Sequence, residues 1–154
     1  MNLLILKVLS VFFIVFFLNN AKAQIKIIEI NASALVENKN IGEYSILIYI
    51  DGQLKDSVFC KKTNSKTLSL ESEKLYSIVF KKASFPEKIV IVDTKIPSGL
   101  RELIEEPFEL QVELSKISTT LKQELTDYPV AILTINRKEK SLMASEKYYK
   151  LTHN

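Results

Sequence analysis

Acidic residues are the side chains of this sequence with the clearest catalytic potential, and their spacing gives little support for catalysis. Glu105 and Glu106 form the one adjacent pair of carboxylates. Glycoside hydrolysis needs two carboxyl groups that face each other across a cleft, and adjacency along the chain does not produce that geometry. A solvated, charged loop is therefore the simpler interpretation of this pair.

Metal binding would require oxygen ligands that converge on one point. Asp51, Asp56 and Asp93 are the residues that would have to meet around Ca²⁺. No loop shows regularly spaced acidic ligands around a bridging glycine, which a calcium loop needs. We therefore predict no bound metal and no cofactor.

The sequence also has few residues that could carry out nucleophilic catalysis. The one histidine is His153, the penultimate residue, where chain ends are usually frayed, so a Ser/His/Asp triad is not expected. Because Cys60 is the single cysteine, no internal disulfide can form. It follows the apolar pair Val58-Phe59, and this context predicts a buried, inert thiol. A chain with three glycines also has no glycine-rich phosphate loop. The sequence therefore predicts no catalytic residues. An enzyme ranks third among the possible functions, after an interaction module and a glycan-binding module.

Tyrosines are the possible platforms for a sugar, because the chain has six tyrosines and no tryptophan. Tyr44, Tyr49 and Tyr76 lie within strand patterns, which favours core or cross-strand packing. The candidates outside those patterns are Tyr128, Tyr148 and Tyr149. Glycan binding is therefore the second function class.

The first 23 residues read as a secretory signal peptide. Lys7 and the amino terminus form the positive flank, residues 8–18 form an apolar core, and Ala21-Lys22-Ala23 is a small-x-small cleavage site. We predict cleavage before Gln24, and the alternative is an uncleaved anchor over residues 3–18. After cleavage we expect no membrane insertion, and the compartment would be the periplasm or the cell surface.

The mature chain has little net charge. Removing residues 1–23 takes away two lysines and no acidic residue, so the net charge falls from +3 to +1 over 131 residues. This balance argues against nucleic acid as a partner, since that requires clustered positive charge. The densest basic spots, Lys61-Lys62 and Lys81-Lys82, are interpreted as solvated strand ends. The length suits one domain with one core.

β-Branched residues at period two dominate the mature sequence up to residue 114, and this pattern predicts strands. Asp51-Gly52 is suited to a type I′ hairpin turn, whose two central residues need positive φ. Turn signals recur at roughly the spacing of 8–12 residues that is typical of a sandwich. We predict about seven strands, over residues 24–36, 44–50, 53–60, 66–71, 75–81, 88–93 and 108–114.

The pattern changes over residues 115–154. Ser118 is a candidate N-cap for a short helix over residues 119–125, and Pro129 precedes a further strand over residues 130–135. The last stretch, residues 145–151, fits a helical turn or an extended tail. These residues are too apolar for a disordered segment, so we expect them to pack on the sandwich, with residues 130–135 on an open edge, or on a partner.

Residues 75–94 carry a resemblance to a known family. Leu75-Tyr76-Ser77-Ile78-Val79-Phe80-Lys81 is followed by Phe85-Pro86-Glu87-Lys88 and an apolar strand that ends in Asp93-Thr94. This order resembles the pattern Tyr-x-Ile-x-Phe-x-Lys-x-Gly-Tyr-x-x-Lys of small secreted proteins of Gram-negative bacteria with a carboxypeptidase-regulatory-like domain. Residues 49–52, 108–114 and 128–131 resemble further segments of that family. The resemblance implies a prealbumin-like, seven-stranded β-sandwich and no agreed reaction.

One position departs from the family pattern. Ser84-Phe85 stands where the family has Gly-Tyr. Glycine adopts a left-handed φ at no steric cost, whereas serine is strained there, so the local turn is expected to differ.

Taken together, these observations predict an all-β, immunoglobulin-like or prealbumin-like antiparallel sandwich. The chain would have three parts: a signal peptide (residues 1–23), the sandwich (24–114) and a C-terminal extension (115–154). The expected function is a non-catalytic structural or protein-interaction module of the cell envelope, and the alternative is a glycan-binding module. An unpaired apolar edge strand would favour the first, a row of exposed tyrosines the second, and a cleft with two facing carboxylates an enzyme.

Overall fold

The structure, a computed structural model, describes residues 25–36, 39–40, 42–61, 65–100, 102–103, 106–115, 128–145 and 148. Strands make up most of this part of the chain. In chain order they are β1 (Ile27–Val36), β2 (Lys39–Asn40), β3 (Tyr44–Ile50), β4 (Gln53–Cys60), β5 (Lys66–Glu71), β6 (Leu75–Lys81), β7 (Lys88–Asp93), β8 (Phe108–Glu113), β9 (Ala131–Asn136) and β10 (Ser141–Ala144).

The β3–β4 hairpin forms as its sequence predicts. Asp51 and Gly52 have φ values of 50° and 77°, the positive values that a type I′ turn needs at both central positions. Along β3, Tyr44, Ile46 and Ile48 are buried and alternate with half-buried residues, so one face of the strand is directed into the core.

The strands form two sheets that pack as a sandwich, which confirms the predicted all-β fold class. The larger sheet has the order β10-β9-β7-β6-β3-β4. In the smaller sheet, β1 pairs antiparallel with β5 and β2, and it pairs in parallel with β8. Asn31 and Ala32 have partners on both β5 and β8, so these two strands lie on opposite sides of β1.

The arrangement departs from a seven-stranded antiparallel sandwich in two respects. The described residues form ten strands, because β9 of the extension joins the seven predicted strands and β2 and β10 add short hairpin partners to β1 and β9. Two pairings, β1 with β8 and β7 with β9, are parallel. Parallel neighbours need a long connection, and residues 37–107 separate β1 from β8 while residues 94–130 separate β7 from β9. Hydrophobic period alone does not reveal strand direction.

The core lies between the two sheets. Its fully buried side chains include Ile46, Ile78 and Phe80 from the larger sheet and Ile30 and Leu70 from the smaller one. From the extension, Leu133, Ile135 and Leu142 also belong to this core, and β9 pairs with the edge of β7. The strand part of the extension is thus a strand of the sandwich.

A hydrogen-bonded corner joins the sheets where the chain passes from β5 to β6. The fully buried Thr94 hydroxyl accepts a hydrogen bond from the Lys74 backbone N–H at 2.9 Å, and it lies 2.8 Å from each of the Glu71 and Lys74 carbonyl oxygens. The Tyr76 hydroxyl accepts a bond from the Glu71 backbone N–H at 2.9 Å, as in the tyrosine corners of sandwich proteins. These contacts give Thr94 and Tyr76 structural roles.

The turn after β6 keeps a left-handed residue although glycine is absent. Ser84 has a φ of 67°. An exposed serine thus adopts the strained left-handed conformation here, and the expected difference from the family's turn stays a prediction.

Several predictions fall on parts of the chain that the structure does not describe. The signal peptide (1–23) and the helix over residues 119–125 lie outside the described residues. Of the last stretch, residues 145–151, only Ser145 and Tyr148 are described.

Candidate functional site

The three aspartates considered for calcium occupy separate positions. Asp51 is in the β3–β4 turn, and Asp56 lies on β4, where its Oδ1 accepts a hydrogen bond from the Ser57 N–H at 2.7 Å. Asp93 ends β7 and accepts from the Lys95 N–H at 2.9 Å. Among the residues that the structure describes, no group of three His, Cys, Asp or Glu side chains is placed to hold a metal.

The exposed Glu106 lines a surface cavity, while Glu105 is outside the described residues. This cavity, about 720 Å³, opens between the start of β1, the start of β8 and the β9–β10 hairpin. Two further carboxylates, those of Glu29 and Glu109, line it with Lys26 and Lys140. Glu109 accepts a hydrogen bond from Asn31 Nδ2 at 2.7 Å. Its carboxylate therefore links β8 to β1 on the surface of the smaller sheet.

Cys60 is fully buried, as predicted, and lies opposite Tyr44 on the neighbouring strand. Burial raises the pKa of Tyr44 to about 12, and the adjacent Cys60 thiol adds to this shift. The Tyr44 hydroxyl makes no hydrogen bond with any residue that the structure describes, although Cys60 and the Ala34 backbone are its neighbours. The pair belongs to the core and is closed to substrate.

The tyrosines do not form an exposed row among the described residues. Tyr44 and Tyr76 are buried, and Tyr49 is half-buried on the outer side of the larger sheet. Tyr128 is 68% exposed, while the Tyr148 hydroxyl donates to the Pro129 carbonyl oxygen. Tyr149 and His153 lie outside the described residues.

Of the two basic pairs, Lys81-Lys82 has partners within the chain. Lys81 forms an ion pair with Glu87 at 2.6 Å, and the hydrogen bond between them raises the pKa of the Lys81 ammonium. Lys82 Nζ donates to the Glu43 carbonyl oxygen at 3.0 Å. Lys61 is exposed, and Lys62 is not described.

The outer side of the larger sheet is the most distinctive surface of the molecule, because it is apolar where solvated sheet faces are usually polar. Along each strand, outward-facing residues alternate with residues that face the core. The outward-facing residues of neighbouring strands line up in two rows. One row runs Leu54, Tyr49, Ser77, Ile91 and Ile132 across five strands.

The second row runs Ser57, Leu47, Val79 and Ile89. Val79 is only 7% exposed although it lies on the outside, since Leu47 and Ile89 flank it. Phe59, on the same side of β4 as Leu54 and Ser57, is 53% exposed, and Leu54 is 57% exposed. We call these two rows together with Phe59 the outer apolar face.

The free edge of β4 adjoins this face. β4 is the last strand of the larger sheet, and its residues from Gln53 to Ser57 are exposed. The register of the β3–β4 pair shifts between Ile48 and Tyr49, leaving Lys55 without a partner on β3. A bulge and charged side chains both hinder the addition of another strand to an edge. This edge is therefore blunted, and the adjoining face is the better binding surface.

The smaller sheet has an outer face of the opposite character. Thr67 Oγ1 donates to Asn31 Oδ1 at 2.9 Å, and Asn31 Nδ2 donates to Glu109, which makes a polar row across three strands. Ser69 and Glu29, paired across β5 and β1, are both exposed on this face. Apart from the exposed Ile27 near its end, this face is polar, in contrast to the outer face of the larger sheet.

Fold and surfaces together define an all-β sandwich of two mixed sheets, with one polar and one apolar outer face. In comparisons with known proteins, no family model, no curated protein and no solved structure matches the chain. Within the described residues, no helix is long and apolar enough to cross a membrane.

Sequence reasoning missed the outer apolar face, although part of the signal was visible. The bulk on both sides of residues 44–50 indicated a strand with two apolar faces. Ile89, Ile91 and Ile132 repeat that signal on β7 and β9. Only the register shows that these side chains are neighbours.

Proposed function

We propose that this protein is an exported, non-catalytic interaction module that binds a protein partner in the cell envelope through its outer apolar face. The observation that carries the proposal is the exposure of Leu54 and Phe59 at the border of two apolar cross-strand rows. Exposed contiguous apolar surface on a soluble domain is typical of an interaction site.

The composition of the face supports a protein rather than a sugar as its ligand. Tyr49 and Phe59 are the aromatic residues of the face, and the other large side chains are leucine, isoleucine and valine. Aliphatic side chains packed around aromatic anchors are typical of the buried centre of a protein interface. Sugar platforms use exposed aromatic rings, and Tyr128 is the one exposed tyrosine among the described residues. The glycan alternative is therefore less well supported.

Export rests on the signal-like pattern of residues 1–23 and on the resemblance to secreted bacterial domains. The intact mass of protein recovered from the envelope fraction tests it. We expect a chain that begins at Gln24. A mass that retains residues 1–23 would contradict a soluble exported module and would indicate a membrane-tethered one.

Site-specific photo-crosslinking in cells tests the binding surface. A photoreactive residue at Leu54 or Phe59 should give discrete protein adducts, because both positions border the outer apolar face. The matched controls are Thr67 and Ser69, which are also exposed but lie on the polar face of the smaller sheet. Equal adducts at all four positions, or none at positions 54 and 59, would contradict the proposal.

A further inference from the structure

We infer that the free edge of β8 is a second interaction site, which takes an extended peptide segment of alternating basic and apolar residues as an added strand. This inference goes beyond the proposed function, because β8 belongs to the smaller sheet, whereas the outer apolar face belongs to the larger one. Its basis is the direction of the backbone groups of β8, the charge beside them and the apolar surface that lies inside them.

β8 is paired on one side and open on the other. The Leu114 N–H donates to the Leu35 carbonyl oxygen at 2.8 Å, so the backbone groups of Leu114 point towards β1. Because successive residues of a strand direct their N–H and C=O groups to opposite sides, those of Glu109, Gln111 and Glu113 point away from β1. Among the described strands, β1 alone pairs with β8. These three residues therefore offer donors and acceptors that an extended peptide satisfies at the same spacing.

The edges of β4, β5 and β10 are interrupted or short. β4 carries the bulge beside Lys55, and β10 has four residues. On β5, the Glu71 N–H donates to the Tyr76 hydroxyl, and the Glu71 carbonyl oxygen lies 2.8 Å from the Thr94 hydroxyl, so the corner occupies that end of the edge. β8 has neither interruption, since its register with β1 is continuous over six residues.

The side chains beside the open backbone groups are acidic. Glu109, Gln111 and Glu113 are exposed on the outer face, and no ion pair between described residues includes either glutamate. Directly opposite residues on neighbouring strands share a face, where opposite charges attract and like charges repel. Lysine or arginine opposite Glu109 and Glu113 is therefore favoured, whereas the β8 edge of a second copy would set glutamate against glutamate. In this regular register the charges select a basic strand and exclude an acidic one.

The inner side of an added strand would meet apolar surface. Leu110 and Val112 alternate with the glutamates and are buried, at 7% and 5% exposure. Phe108 is half-buried and lines the cavity of about 720 Å³ together with Ile135 and Leu142. Aliphatic side chains opposite Phe108, Leu110 and Val112 would extend the core at this side of the sandwich. The peptide that fits is thus basic on its outer side and aliphatic on its inner side.

The probe is the fluorescently labelled peptide Val-Lys-Val-Thr-Val-Lys-Val, which reads the same in both directions and so presents one pattern to β8 in either orientation. Fluorescence anisotropy is measured while the mature chain, beginning at Gln24, is added. We expect a dissociation constant of about 100 µM, as suits a short strand. The control peptide Val-Val-Lys-Lys-Thr-Val-Val has the same composition, but its adjacent lysines cannot both face outwards, so it should bind about tenfold more weakly. Equal binding of the two peptides, or no binding of the first, would overturn the inference.

Charge variants test the acidic flank of β8. Glu113→Lys sets like charges against each other and should weaken binding of the probe by about tenfold. The matched control is Glu29→Lys, an equal change of charge on the outer face of β1, which salt screens from the added strand and which should change the dissociation constant by about twofold or less. The charge-swapped peptide Val-Glu-Val-Thr-Val-Glu-Val should bind the double variant Glu109→Lys/Glu113→Lys and not the wild type. Equal effects of Glu113→Lys and Glu29→Lys would contradict a paired strand.

Proline variants test the backbone pairing. Gln111→Pro removes an N–H that points to the open edge of β8, and the proline ring obstructs an added strand, so the probe should no longer bind. Ser69→Pro is the matched control, because the Ser69 N–H points to the open edge of β5, and it should leave binding unchanged. Thermal unfolding identifies the variants that fold, and Glu113→Lys decides the matter if Gln111→Pro does not. A folded Gln111→Pro variant that binds the probe as tightly as the wild type would overturn the inference.

Discussion

Ser84 holds a left-handed backbone conformation that costs an L-residue about 1–2 kcal/mol relative to glycine. Its side chain is exposed, with a φ of 67°. We predict that Ser84→Gly raises the free energy of unfolding by about 0.5–1 kcal/mol, because relief of strain exceeds the added entropy of the unfolded chain. Urea denaturation measures the change.

The neighbouring residue supplies a matched control for this substitution. Ala83 lies in the same turn, and its φ is not positive. Ala83→Gly should therefore lower the free energy of unfolding, since it only adds freedom to the unfolded chain. The same sign of change at both positions would refute the strain at Ser84.

Tyr44 should make stability depend on pH in strongly alkaline solution. Burial raises its pKa from 10.0 to about 12. Below pH 10 the phenol is neutral in both states, and its contribution to stability is fully present. Between pH 10 and 12 the unfolded chain loses this proton while the folded chain keeps it, so the free energy of unfolding falls by up to about 1.4 kcal/mol per pH unit.

Tyr44→Phe isolates this effect, since the phenylalanine ring fills the same space without a titrating group. Denaturation midpoints from pH 9 to 12 should fall less steeply for the variant than for the wild type. At neutral pH the variant should be as stable or about 1 kcal/mol more stable, because the buried hydroxyl makes no hydrogen bond with the described residues. Parallel pH profiles would show that Tyr44 does not titrate as described.

At the scale of elements, β3 has two apolar sides with different surroundings. Ile48 faces the core and is buried, whereas Ser45 is half-buried on the outer side beside Lys81. We predict that Ile48→Asp costs more than about 3 kcal/mol, because it buries an unpaired charge, and that Ser45→Asp costs about 1 kcal/mol or less. Chemical denaturation of both variants compares the two sides. Equal losses would mean that both faces of β3 are fully buried.

For the whole molecule, the C-terminal strands decide whether the sandwich is complete. β9 covers the edge of β7, and Leu133, Ile135 and Leu142 are buried in the common core. Truncation after Leu114 removes these side chains and exposes the edge of β7. The truncated protein should aggregate or lose several kcal/mol of stability, as judged by solubility and thermal unfolding. A soluble, monomeric product of unchanged stability would mean that the extension contributes nothing to the sandwich.

Much of the fold was predictable from local pattern. The bounds of β3 to β7 agree with the alternation of apolar residues and with the turn signals, and both depend on neighbours along the chain. The hairpin at Asp51-Gly52 follows from backbone preferences of two residues. Burial of Cys60 follows from the strand that contains it. β2 and β10 were missed because strands of two and four residues carry too little periodicity.

The sequence by itself determined the strand content, the hairpin and the shortage of catalytic side chains, because each depends on residue types or on short-range spacing. Tertiary structure decided the two parallel pairings, the corner around Thr94 and the outer apolar face. Each of these joins residues that are distant in the chain, and the face needs the register of five strands at once. Apolar period two shows that a residue alternates with its neighbours, but only the partner strand decides which side becomes core and which remains open for binding.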